Sequence, residues 1–417
     1  MRLFQEELKR VIKLQSTIII ITIALALSVL MAIIPIMFVS ADVETDTGSV
    51  KELNGINAIK YWKTIHTPSN GEVTIEKLKK ALETYQECVA RYGDPQSDSF
   101  PEEIRVARIA PITPLIMLVS EAYSKGYDRN SAESNRCRLE DIPIDDIDSF
   151  YEVCANGVLN VGLSEGASEI TIRKADTFYK KVKTPFVINC GFAHDAPLYF
   201  SLSIFILVMM SAIIGSQIFA SDYESSSDHI IRCTKHGREL LATARMSAIT
   251  VVCVFTYMVA IMLNLTITNM SFGIETLRSS VQTLGNISVL LDMTILDLEK
   301  ILVLGGLLSL VSTNMMSYYI SSKCEKASTS LVVSMIMVIA PTILFAVVGN
   351  TWFGSMLPTS GVALTDADLL SQLTKYRFLE VGERSFWNPQ VTMFFAILWV
   401  PVLGTLAKKG YCKHQIK

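Results

Sequence analysis

The chain reads as an all-α polytopic membrane protein, with six transmembrane helices and a mostly helical ectodomain between the first and second. Three observations carry this reading. Charged residues make up 18% of the 417 and hydrophobic residues 50%, whereas soluble domains carry about 25% charged residues. The mean hydropathy is +0.38. The apolar residues are also gathered into uncharged runs, each long enough at about 1.5 Å per residue to cross roughly 30 Å of hydrocarbon.

The runs fall at 16–40, 197–220, 246–269, 301–320, 328–349 and 389–407. The first is too long for a signal-peptide core, usually about 7–15 residues, and is read as a retained span with Pro35 as a kink point. The last is the shortest and carries Pro401. Residues 1–15, MRLFQEELKRVIKLQ, place Leu3, Phe4, Leu8, Val11 and Ile12 on one helical face. This pattern suits an amphipathic helix lying in the membrane interface, with a charged flank that merely sets topology as the plainer alternative.

Lysine and arginine set the orientation. One side holds Arg2, Lys9, Arg10 and Lys13, then Arg232, Lys235, Arg238 and Arg245, then Lys323 and Lys326, and finally Lys408, Lys409, Lys413 and Lys417 in the tail 408–417. The loops 270–300 and 350–388 on the other side are longer and much poorer in such residues, with Arg278, Lys375, Arg377 and Arg384 prominent. Both termini are therefore expected in the cytoplasm, and 41–196 outside.

That outside segment is mildly acidic and long enough to fold as a domain. TIEKLKKALETYQECVARYGD repeats apolar residues at helical spacing, with Gly93 as its stop. PEEIRVARIAPITPLIMLVSEAYSKG is a second helical region, broken near Pro111 and Pro114. DIDSFYEVCANGVLNVGLSEG and RKADTFYKKV are two more, and no alternating strands stand out. Cys88, Cys137, Cys154 and Cys190 fall in this segment. In an oxidising compartment they are candidates for one or two disulfides in three possible pairings; otherwise they are buried thiols filling core space.

Several classes of chemistry are disfavoured. The chain has no P-loop, HExxH or paired CxxC. His194-Asp195 has no nucleophile pattern beside it. The net charge of −3 gives no reason to expect a nucleic-acid partner. No Asp, Glu, Lys or Arg lies inside the apolar runs, which argues against transport driven by an ion gradient. The expectation is a non-enzyme without catalytic, metal or cofactor residues of its own.

The loop 221–245 begins SDYESSSDHIIRCTKHGREL. Ser221 and Glu224 have capping-box spacing, acidic residues come early and basic ones late, and Gly237 can end the turn. Tyr223, Ile230 and Ile231 can share a face. The pattern predicts one short surface helix between two spans, with a plain connecting loop as the alternative.

At IFASDYESSSDHIIRCTKHGRELLATARMSAI, 218–249, the chain resembles the ABC-2 type permeases, membrane subunits of ATP-binding-cassette exporters. The resemblance is to the subgroup with a large domain after the first span. It rests on Asp222-Tyr223-Glu224, Ser225 to Ser227, Ile230-Ile231, Thr234-Lys235-His236-Gly237-Arg238 and Arg245. The phrases ALETYQECV and PLIMLVSEAY and the order of segments add to it. His229 and Cys233 depart from the pattern. The resemblance implies a coupling helix seated on a separate ATPase that binds ATP and Mg²⁺. The contact would be made by Tyr223, Glu224, Asp228, Ile231, Arg232, Thr234, Lys235, Gly237 and Arg238. It further implies a second permease copy, as a homodimer or a paralogous heterodimer, in the plasma membrane. Spans 301–320 and 328–349 separate the chain from four-span relatives that act by mechanotransmission. Drug, antimicrobial peptide, lipid and polysaccharide cargoes stay open, and the folded ectodomain favours a peptide or other amphipathic molecule among them. The competing reading is a receptor or sensor whose ectodomain binds a ligand and whose loops dock a signalling partner.

Overall fold

The computed structural model describes residues 2–44, 50–126, 138–226 and 238–414. It is 74% helical, as the sequence-based fold class requires. Six long helices pack side by side: Gln15–Met37, Ala196–Ser216, Glu239–Phe272, Ile295–Ser321, Ala327–Val348 and Asn388–Lys413. They are called here bundle helices one to six. Each overlaps one of the apolar runs. The third starts earlier than its run and the sixth ends later, because a helix continues past its apolar stretch when polar end residues find partners. Lys408 and Glu239 supply one such pair at 2.7 Å.

Among the described residues, length and composition alone make six helices apolar enough to cross a membrane. They differ from the expected set at one position. Bundle helix four is absent from them, and Glu102–Ser124 takes its place. Glu102–Ser124 is interrupted by a π turn at Arg105–Ile109 and a 3-10 turn at Ala110–Ile112. It also buries Leu115, Leu118, Val119, Ala122 and Tyr123 in the core of the segment that follows bundle helix one. Its apolar character serves a domain interior, which composition cannot tell from a membrane span. Bundle helix four is the buried centre of the bundle and carries Ser309, Ser312, Thr313, Asn314 and Ser317 inside.

Hydrogen bonds between helices tie the bundle together. Ser28 and Ser203 hydroxyls meet at 2.7 Å, Asn264 donates to the Ser28 carbonyl at 2.9 Å, and Ser330 donates to the Ser216 carbonyl at 2.6 Å. Gly306 lets helix four close on Ile204 and Tyr257, whose hydroxyl donates to the Val303 carbonyl at 2.8 Å. Ile19, Ile23, Phe255, Met262, Val332, Ile336, Phe394 and Ile397 point outward and are exposed.

At one end of the bundle, termed the domain end, three segments fold together. The region after helix one contributes helices Ile75–Tyr92, Thr113–Gly126, Phe150–Ser164 and Glu169–Tyr179 around Leu78, Leu82, Val119, Tyr123, Phe150 and Phe186. Thr74 caps the first of these, and Gly93 ends it at φ +87°. The connection after helix three adds Ile287, which accepts from Tyr179 Oη at 3.1 Å and donates its N–H to Glu121 at 2.9 Å. The connection after helix five adds Glu380 and Ser385, which bind Ser168, Thr171 and Lys174.

Short strands occur although no alternating pattern stands out in the sequence. Among the described residues three two-stranded antiparallel sheets occur: Ser40–Glu44 with Val50–Asn54, Gly71–Glu72 with Val187–Ile188, and Phe378–Val381 with Arg384–Trp387. Strands this short do not present enough residues for an alternating pattern to emerge. The third is a tight hairpin that turns at Gly382, φ +55°.

Candidate functional site

The opposite end of the bundle carries the helix Arg2–Lys13 and the C-terminal end of helix six. Helix two finishes at Ser216, and the chain turns into a short helix, Ala220–Glu224. The Phe219 and Ala220 N–H groups both donate to Ser321 Oγ at 3.0 Å, which fixes the turn to the end of helix four.

An ion-pair network lies beneath this turn. Arg245 donates through Nη1 to Asp222 and through Nε to Glu7, the latter at 3.2 Å. The three side chains are only 6%, 3% and 11% exposed. Arg10, half exposed, stands 3.6 Å from Glu7 and 3.8 Å from Asp222. One guanidinium thus joins the N-terminal helix, the exit of helix two and the start of helix three. Its planar fork suits two carboxylates at once. Burial makes every member costly to leave unpaired.

Aromatic rings close the other side. Tyr223 stacks on His414 at 4.0 Å between centroids and on Tyr411 at 6.2 Å, and Phe219 stacks on Tyr411 at 4.5 Å. Glu224 accepts the Ala327 N–H at 3.0 Å at the first turn of helix five. A carboxylate there satisfies an otherwise open amide and complements the helix dipole.

Of the nine expected contact residues, Tyr223, Glu224 and Arg238 are described. Asp228, Ile231, Arg232, Thr234, Lys235 and Gly237 lie outside the described residues, as do His229 and Cys233. Tyr223 packs inward against rings. Glu224 is exposed while binding helix five, and Arg238 is exposed just before helix three. The capping box at Ser221 is not formed. Ser221 lies inside the short helix and donates to the Gln217 carbonyl at 2.7 Å, because the chain is already helical where the cap was expected. Ile12, assigned to the apolar face of the first helix, is 52% exposed, whereas Val11 is buried. A capping box does occur at Thr294 and Asp297, which starts helix four.

The network residues Glu7, Arg10, Tyr411 and His414 were not anticipated as part of this site. Glu7 did leave a signal: it sits on the face of Phe4, Leu8 and Val11, where a charge needs a buried partner.

Three of the four cysteines of segment 41–196, Cys88, Cys154 and Cys190, are buried. Cys88 packs with Phe100 and Ile109, and Cys154 and Cys190 lie in the main core of the domain end, with no disulfide found among the described residues. Cys137 lies outside the described residues. No group of three or more His, Cys, Asp or Glu side chains is placed to hold a metal ion among the described residues. No family model, curated protein or solved structure matches the chain.

Proposed function

We propose that the chain is the membrane subunit of an ATP-binding-cassette exporter of the ABC-2 type, moving a peptide, drug or other amphipathic molecule. A separate subunit would bind ATP and Mg²⁺ and hydrolyse the nucleotide, and a second permease copy would complete the assembly. In this reading the protein resides in the plasma membrane, both termini and the loop after helix two are cytoplasmic, and the domain end is outside. The asymmetric distribution of lysine and arginine supports that orientation.

The observation that carries the reading is the buried Arg245–Asp222–Glu7 network. A coupling element has to transmit displacement from a partner to the helices. Both roots of the loop 221–245 are joined by one buried cation, and the first root is also pinned to helices four, five and six through Ser321, Ala327 and Tyr411. A push on the loop therefore acts on the bundle as a whole.

The test is co-purification with a P-loop ATPase, followed by charge reversal. Arg238→Glu, at an exposed position, is expected to weaken the complex or its stimulated ATPase activity at least about tenfold, equivalent to 1.4 kcal/mol. Glu224→Arg is expected to do the same, with added loss from the helix-five cap. Full activity without any ATPase partner would refute the proposal. The receptor alternative draws on the separate core of the domain end. It requires ligand binding there that triggers a response with no ATPase present.

A further inference from the structure

At the domain end of the bundle, Glu299 lies in the second turn of helix four and is 8% exposed. A buried carboxylate is ordinarily matched by a cation or several donors. Lys300, the next residue in the helix, pairs with Asp297 at 3.2 Å. Glu299 receives a neutral donor instead, Asn269 Nδ2 at 3.0 Å. No cation among the described residues pairs with it, and the Asn269 Oδ1 beside it is buried without a partner.

Glu299 also lines a cleft between helices two, three and four. The walls include Phe192, Phe200, Leu298 and Leu302, with Asn264 and Thr268 toward helix three. Asn264 is committed to the Ser28 carbonyl. What remains is one buried carboxyl group facing an apolar, partly aromatic wall, which a bound cation would draw into its ionised form. A neutral amphiphile would gain mainly apolar contact there, and an anion would find no counter-charge. An organic cation with apolar substituents satisfies both parts, through the carboxylate and the negative faces of the rings. The cleft encloses ≈ 10 Å³, no more than a single water site, so occupation requires the helices to separate.

We propose that the Glu299 cleft is a binding site for lipophilic cations. That such a cation is cargo as well as ligand rests on the exporter reading.

The probe is tetraphenylphosphonium, added to the full chain in nanodiscs of phosphatidylcholine, with empty nanodiscs as background. Tetraphenylborate, of similar shape and opposite charge, is the control. Wild type should bind the cation and reject the anion, and Glu299→Gln should bind the cation at least about tenfold more weakly. Equal affinity in Glu299→Gln, or no preference for the cation in wild type, would overturn the site. Should that variant fail to fold, wild type alone decides the matter by carbodiimide modification of Glu299, read by mass spectrometry. Tetraphenylphosphonium should slow the modification and tetraphenylborate should not; identical rates would again overturn the site. Neither ATP nor an ATPase is present, so failure of the exporter reading and failure of the cation site show separately.

Discussion

Replacing Arg245 by methionine should be among the most damaging single changes at the end of the bundle that carries the termini. The substitution keeps a long unbranched side chain and removes the cation. Asp222 and Glu7, 3% and 11% exposed, then lose their shared buried partner. Removing one side of a buried pair costs about 3–5 kcal/mol. Arg10 stays within 3.8 Å of Asp222 but is half exposed and screened, so the expected loss is near the lower figure, about 3 kcal/mol. The triple variant Glu7→Gln, Asp222→Asn, Arg245→Met removes all three charges together and should recover most of that loss, because no buried charge is left unmatched. Unfolding of the purified chain in one detergent, followed by intrinsic fluorescence, measures both. The reasoning fails if Arg245→Met unfolds within about 0.5 kcal/mol of wild type, the usual range for a harmless surface change. It also fails if the triple variant is less stable than the single one.

Three further outcomes follow from the structure. Gly306→Val should destabilise by about 1–3 kcal/mol, since even a Cβ there would stand 2.5 Å from Tyr257 Oη and 2.6 Å from Ile204 Cγ2; unchanged thermal unfolding would contradict the close approach. The Glu380 carboxyl is held below its ordinary range by the hydroxyls of Ser168 and Thr171 and the Ser168 N–H. Its stabilising contribution is therefore full above the ordinary carboxylate range and lost as pH falls through the depressed value, and Glu380→Gln should flatten the acid limb of a stability profile that parallel limbs would disprove. Burial pushes the Cys190 thiol up to about 11, so maleimide at pH 8 should label it slowly in the folded chain and fast after denaturation, with no need for a reductant; a requirement for reductant would show a disulfide.

Much of the helical layout was legible because apolar runs and helix signals act locally. Gly93 ends its helix as the sequence suggests, and the break expected near Pro111 and Pro114 falls where the π turn Arg105–Ile109 and the 3-10 turn Ala110–Ile112 give way to the helix Thr113–Gly126. The capping-box pattern was read at Ser221 and realised at Thr294, since the same spacing serves as a cap only where the preceding chain is not already helical. The hairpin Phe378–Val381 with Arg384–Trp387 escaped notice because four residues per strand leave little periodicity to detect. At the candidate site, residues contiguous with the loop were named, whereas Glu7, Tyr411 and His414 come from the far ends of the chain.

The sequence by itself determined which stretches are apolar and helical, their order, and the charge asymmetry between the two sides, because these depend on composition and on spacing within a few residues. Tertiary structure alone decided that the connections after helices three and five join the domain that follows helix one, and that Arg245 meets both Glu7 and Asp222. Each of these depends on groups distant in the chain, and the cost of burying an apolar face or a charge is resolved only when a specific partner arrives.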